Sequence, residues 1–135
     1  MAAMSSREPQ QQELTLKQQT YIESIGELQH RHGHAHVTEL AAALEVSKPS
    51  VVQMLGRLAQ MGMVKKDGHE IRLTRAGQRV VGELGSTQAL LEELLVGELG
   101  MGRKAARTDA CRLEHVVSSA LVRSLRAYLK HVRRT

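Results

Sequence analysis

The sequence predicts a mainly α-helical fold: a winged helix-turn-helix followed by a second, all-helical part. Three observations carry that expectation. Two short amphipathic segments, opened by the N-cap-type residues Thr38 and Ser47, are joined by a tight turn at residues 45 to 47. Two strand-like runs about Asp67-Gly68 follow them directly. Beyond Thr74 the apolar residues recur only at helical spacing.

Taken in order, residues 1 to 14 are polar and of low complexity, and are expected to form a disordered tail. A first helix is expected from about Thr15 to His30, because Tyr21, Ile22, Ile25 and Leu28 share a helical face, and Gly33 breaks it. The second, short helix starts near Thr38 and carries Leu40, Ala41 and Leu44. The third begins at Ser47 and tolerates Pro49 in its first turn. It buries Val51, Met54, Leu55 and Leu58 and stops at Gly62, a residue suited to a left-handed cap. Met63 to Lys66, a turn at Asp67-Gly68, and His69 to Leu73 then form a hairpin. Thr74 caps a fourth helix reaching about Leu84, and a fifth covers about Thr87 to Glu98. The last runs from about Thr108 to Arg133 with an apolar stripe of Val117, Leu121, Leu125, Tyr128 and Val132. The winged part is thus expected at residues 15–84 and the helical part at 85–135.

Composition narrows the function. The chain of 135 residues carries a net charge of +5, which suits a polyanionic partner. Without Phe or Trp, and with two Tyr, it has no platform for stacking single-stranded bases. One cysteine excludes an intrachain disulfide. No apolar run is long enough to span a membrane, and the N-terminus lacks a secretory pattern, so a cytoplasmic protein is expected.

Double-stranded DNA is the partner this arrangement suits, since the major groove admits one α-helix. Ser47, Lys48, Pro49, Ser50, Gln53 and Arg57 fall on or beside the polar face of the third helix. Gln bonds base edges, while Ser and Lys reach phosphates. Lys65, Lys66 and Arg72 on the wing are placed for the DNA backbone.

Two stretches compete as metal sites. Residues 30 to 36 read His-Arg-His-Gly-His-Ala-His, and residues 111 to 115 read Cys-Arg-Leu-Glu-His. On the last helix the second stretch puts Cys111, Glu114 and His115 on one face, a donor set that suits a transition metal. The histidine tract reads as a mobile loop, which cannot fix ligands, so a solvated or phosphate-facing role is expected there.

The segments TYIESIGELQ, VTELAAALEVSKPSVVQMLGRLAQMGMV and ACRLEHVVS resemble the first helix, the helix-turn-helix and the metal-binding helix of the diphtheria toxin repressor family, in its shorter manganese-transport-regulator-like branch without an SH3-like domain. The resemblance covers about residues 16 to 132. It implies a homodimeric, metal-responsive repressor of metal-homeostasis genes that binds operator DNA when loaded with Fe²⁺ or Mn²⁺, with iron slightly ahead. It implies metal ligands at Cys111, Glu114 and His115, a further one at Glu23, and an ancillary ligand at Glu92. The family's first-helix Asp or Met is Thr20 here, and its fifth-helix His is Gln88, both weak ligands. A metal-independent winged-helix regulator with a decayed site is the alternative. A thiol enzyme using Cys111 with His115 and a metal buffer using the histidine tract are the other rivals, and no enzyme activity is expected.

Overall fold

The computed structural model describes residues 14–134, so the expected tail lies outside the described residues apart from Leu14, which packs against the core. Helix α1 spans Leu16–His32. Thr15 caps it reciprocally: its hydroxyl accepts from the Gln18 backbone N–H, and the Gln18 carbonyl accepts from the Thr15 N–H, both at 3.0 Å. Gly33 closes it in the left-handed conformation, φ 87°.

Helices α2 (Val37–Leu44) and α3 (Lys48–Gln60) form the helix-turn-helix. The α2 cap is His36 rather than Thr38, with the Glu39 carboxylate accepting from the His36 N–H. Ser47 caps α3 as expected, and Gly62 follows its end with φ 77°. Strands β1 (Val64–Asp67) and β2 (Glu70–Leu73) pair antiparallel, with Lys65 opposite Arg72 and Asp67 opposite Glu70. The turn is therefore Gly68-His69, one residue later than Asp67-Gly68. Placing Gly68 (φ 66°) in the turn's first position keeps Ile71 and Leu73 on the buried face.

The second half departs more from expectation. The predicted fourth and fifth helices are one helix, α4 (Arg75–Glu92), which ends in a wide π turn over Glu93–Glu98. The expected boundary between residues 84 and 85 thus falls inside a helix. Gly82 and Gly85 argue locally against helix there. Packing overrides them, because α4 contributes Val80 and Val81 to one apolar cluster and Leu90 and Leu91 to the other. The predicted last helix is instead two, α5 (Arg103–Leu113) and α6 (Ser119–Arg134). Its stripe divides accordingly: Leu125 is buried and Val132 packs beside it, whereas Leu121 and Tyr128 are exposed.

The first cluster joins α1, α2, α3 and the wing through Ile22, Ile25, Leu40, Val51, Leu55, Leu58 and Ile71. The second joins α4, α5 and α6 through Leu91, Ala106, Ala110, Leu125 and Leu129. Methylene-rich side chains fully withdrawn from water stabilise each by the ordinary apolar transfer free energy. The candidate site lies where α1 of the first cluster meets the turn after α5.

Candidate metal centre and nucleic-acid interface

Three donors converge at that junction. Glu23 comes from the middle of α1; Glu114 and His115 come from the turn that ends α5. The N–H groups of Glu114 and His115 bond to the carbonyls of Ala110 and Arg112, which holds this turn in helix-like register without continuing the helix. One ligand-type atom of each residue lies within 4.8 Å of the others. His115 Nε2 stands 3.3 Å from Glu23 Oε1 and 3.4 Å from Glu114 Oε2. Side-chain exposure rises from 1% at Glu114 through 8% at His115 to 33% at Glu23, so the cluster opens to solvent on the α1 side.

Glu114 is the anomalous member. Both its oxygens are buried without a hydrogen-bond partner of normal geometry, because His115 Nε2 approaches only at ion-pair distance. Burial first, then the neighbouring Glu23 carboxyl, pushes its pKa up to about 8. A buried carboxylate facing a second carboxylate and an imidazole lacks a positive charge. A divalent cation supplies one, and the oxygen and nitrogen donors suit a first-row ion. The residues present therefore fit a metal.

Other sequence candidates stand differently. Cys111 is exposed and lies outside the three-donor cluster. It is still near: local desolvation of the sulfur, then the charges of Glu114 and Glu23, raise its thiol pKa. The Thr20 hydroxyl donates to the Leu16 carbonyl at 3.0 Å, back along its own helix. Gln88 donates to Glu92 at 3.1 Å, and Arg107 lies 3.9 Å from the same carboxylate, so Glu92 already faces a cation and is not among the clustered donors.

The histidine tract is not wholly a loop, since His30 and His32 lie in the last turn of α1. Ala35 and Ile71 exchange both backbone hydrogen bonds at 2.9 Å, which adds residues 34 to 36 to the edge of the wing. The His34 and His36 rings meet edge-on at 4.6 Å, and His36 Nδ1 bonds the His69 carbonyl at 3.0 Å. His34 faces Glu70, and His32 faces Glu39, each at 3.8 Å. These side chains pair with separate partners and do not converge on one point among the described residues.

The DNA-facing candidates are all exposed. Ser47, Lys48, Pro49, Ser50, Gln53 and Arg57 are exposed on α3, opposite buried Val51, Leu55 and Leu58. Lys65, Lys66 and Arg72 are exposed on the wing. Sequence reading missed Val52, whose side chain is exposed beside Gln53. An apolar residue on a recognition face is suited to a thymine methyl group. Its signal was present, since it falls off the 3.6-residue stripe of α3.

A winged helix with a basic recognition surface, tied to a helical domain by a metal-type cluster, defines a metal-dependent DNA-binding regulator. Comparison with known proteins gives the family. Residues 13–70 match the iron dependent repressor N-terminal DNA binding domain, and residues 74–135 match the iron dependent repressor metal binding and dimerisation domain. The chain is 34% identical to the transcriptional regulator MntR of Escherichia coli O157:H7 over 80% of its length and 70% of that protein's. It is 29% identical to the diphtheria toxin repressor of Corynebacterium diphtheriae, spanning 85% of this chain and about half (51%) of that one. The apo structure of the manganese-activated repressor ScaR superposes with a TM-score of 0.74 at 32% identity, over 82% of this chain and 53% of that one. The chain belongs to the iron-dependent repressor family of metal-dependent transcriptional regulators, with a DNA-binding domain followed by a metal-binding and dimerisation domain. These relatives lend no support to a metal-independent regulator. No helix among the described residues is long and apolar enough to cross a membrane.

Proposed function

We propose that Glu23, Glu114 and His115 hold the regulatory divalent ion, and that this ion locks the DNA-binding domain against the dimerisation domain. The observation that carries the reading is the buried, unpartnered Glu114 carboxylate set against Glu23 of the other domain. An ion that displaces the Glu114 proton is held by both carboxyl groups only when α1 and the α5 turn are together, so it favours that arrangement. In a two-fold dimer this fixes the separation of the two recognition helices to one turn of DNA. The division of labour falls within α4 near residue 84, where packing passes from one apolar cluster to the other.

The trio is hard and suits Mn²⁺ as well as Fe²⁺. Cys111 is proposed as the donor that decides between them. Desolvation first, and then the two carboxyl groups, hold its thiol pKa up, and an incoming cation opposes the carboxyl influence. With the thiolate bound, the site turns toward iron; the trio alone favours manganese, the ion that activates the similar repressor ScaR. On DNA, Gln53 and Val52 are assigned to base edges, and Ser47, Lys48, Ser50, Arg57, Lys65, Lys66 and Arg72 to phosphates. A thiol-enzyme role for Cys111 is disfavoured, since an activated nucleophile needs a lowered pKa and this one is raised.

Elemental analysis of anaerobically prepared protein, with gel shifts on operator DNA selected from genomic fragments, tests the reading. Mn²⁺ or Fe²⁺ is expected to tighten DNA binding, Glu23→Gln and His115→Ala to abolish that response, and His34→Ala to leave it intact. Loss of bound metal by elemental analysis in His34→Ala, with Glu23→Gln and His115→Ala still loaded, would transfer the site to the histidine tract.

A further inference from the structure

The trio is tied to α1 by a second link. His115 Nδ1 lies 2.6 Å from Gln19 Oε1, a side-chain bond between residues 96 positions apart. We propose that Gln19 is a positioning residue that fixes the tautomer of His115, so that the lone pair rather than a hydrogen points at the metal position. The inference rests on the metal reading above and deepens it.

The orientation of the Gln19 amide is not arbitrary. Its Nε2 donates to the Leu14 backbone carbonyl at 3.3 Å. That carbonyl can only accept, and turning the amide over would set two carbonyl oxygens against each other. The Leu14 carbonyl therefore points the Gln19 oxygen toward His115. An amide oxygen also only accepts, so Nδ1 of His115 must carry the hydrogen. In the neutral ring the lone pair is then on Nε2, the atom between Glu23 and Glu114.

Gln19 works against the alternative that its neighbours favour. Two carboxyl groups beside Nε2 would by themselves draw the ring hydrogen to Nε2, where it would block coordination. The short bond from Nδ1 opposes that pull and leaves the donor atom free. Hydrogen bonds of this kind, from the non-coordinating ring nitrogen, orient histidine ligands and raise their basicity. Leu14, Gln19 and His115 also form a continuous chain from the backbone ahead of α1 to the metal position. Gln19 thus connects the ligand to the DNA-binding domain independently of Glu23.

Imidazole ¹H–¹⁵N correlation spectra of the metal-free protein, recorded over a range of pH, test this directly. The wild type is expected to show the Nδ1–H tautomer at His115, and Gln19→Glu, which keeps an acceptor, to retain it. Gln19→Leu, compatible with the helix, is expected to shift His115 to Nε2–H. Mn²⁺ affinity should fall about 10- to 100-fold in Gln19→Leu and recover within a few-fold in Gln19→Glu. An unchanged tautomer in a folded Gln19→Leu, or Mn²⁺ affinity equal to wild type in that variant, overturns the proposal. A wild-type protein that takes up no Mn²⁺ or Fe²⁺ overturns the metal reading instead. The tautomer spectra, recorded without metal, tell that failure apart from a failure of the Gln19 link.

Discussion

Glu114 keeps its proton through neutral pH because burial and Glu23 both disfavour its charge, and stability should record this. Its pKa in the fold is about 8 against an ordinary value of 4.5. The folded chain then binds this proton more tightly than the unfolded chain does. The stabilisation is complete below 4.5 and is lost as pH rises through about 8. Thermal melts of metal-free protein are expected to fall across that window, and Glu114→Gln should flatten the slope. Metal must displace the same proton, so Mn²⁺ affinity should rise with pH over the same range. Much of this site could be read from sequence: the Cys-Arg-Leu-Glu-His stretch and Glu23 pointed to it through the family resemblance, and geometry brings Glu23, Glu114 and His115 together. The placing of Cys111 beside the trio rather than within it could not be read, because Glu23 comes from a helix remote in the chain. Gln19 left no signal at all, since its partner is remote in the chain and glutamine is commonplace on a helix.

Among the elements, local chemistry decided the first half and long-range packing the second. Caps at Thr15, Ser47 and Thr74 mark three helix starts through their own side chains, each bonding a nearby N–H. The merger of the fourth and fifth segments into α4 had no such signal, because Gly82, Gly85, Ser86 and Thr87 are poor helix formers held in place by Leu84 and Leu91. The exposed glycines offer a test. A Cβ at Gly82 or Gly85 meets nothing, so Gly→Ala at either position should raise stability by about 0.5–1 kcal/mol in urea unfolding. Gly77 lies in the same helix but is buried, and a Cβ there would strike the Met63 carbonyl. Gly77→Ala should therefore destabilise, and the opposite signs within one helix distinguish propensity from packing.

For the whole molecule, the unpaired apolar surface matters most. Leu113, Val116, Leu121 and Tyr128 are exposed around the α5–α6 turn and along α6, within the residues that match the dimerisation domain. A second copy of the chain is the occupant this surface suits, since a monomer gains nothing by exposing it. Leu121→Asp is expected to shift sedimentation from dimer toward monomer and to weaken operator binding, with the metal site intact by elemental analysis. A dimer unchanged in that variant would place the two-fold axis on another face.

Helix α1 joins these scales mechanically. Gln19 and Glu23 grip the metal junction near one end, and the bridge from Ala35 to Ile71 welds the chain just past the other end to the wing. From Glu23 to His32 the helix rises about 14 Å at 1.5 Å per residue, as one stiff rod. A tilt of roughly 10° about the grip would then carry the wing some 2–3 Å over that lever arm, as much as separates a made phosphate contact from a broken one. The histidine tract thus acquires a different office: it is the weld at the far end of the lever, and loosening it would leave the grip intact while uncoupling it from the DNA.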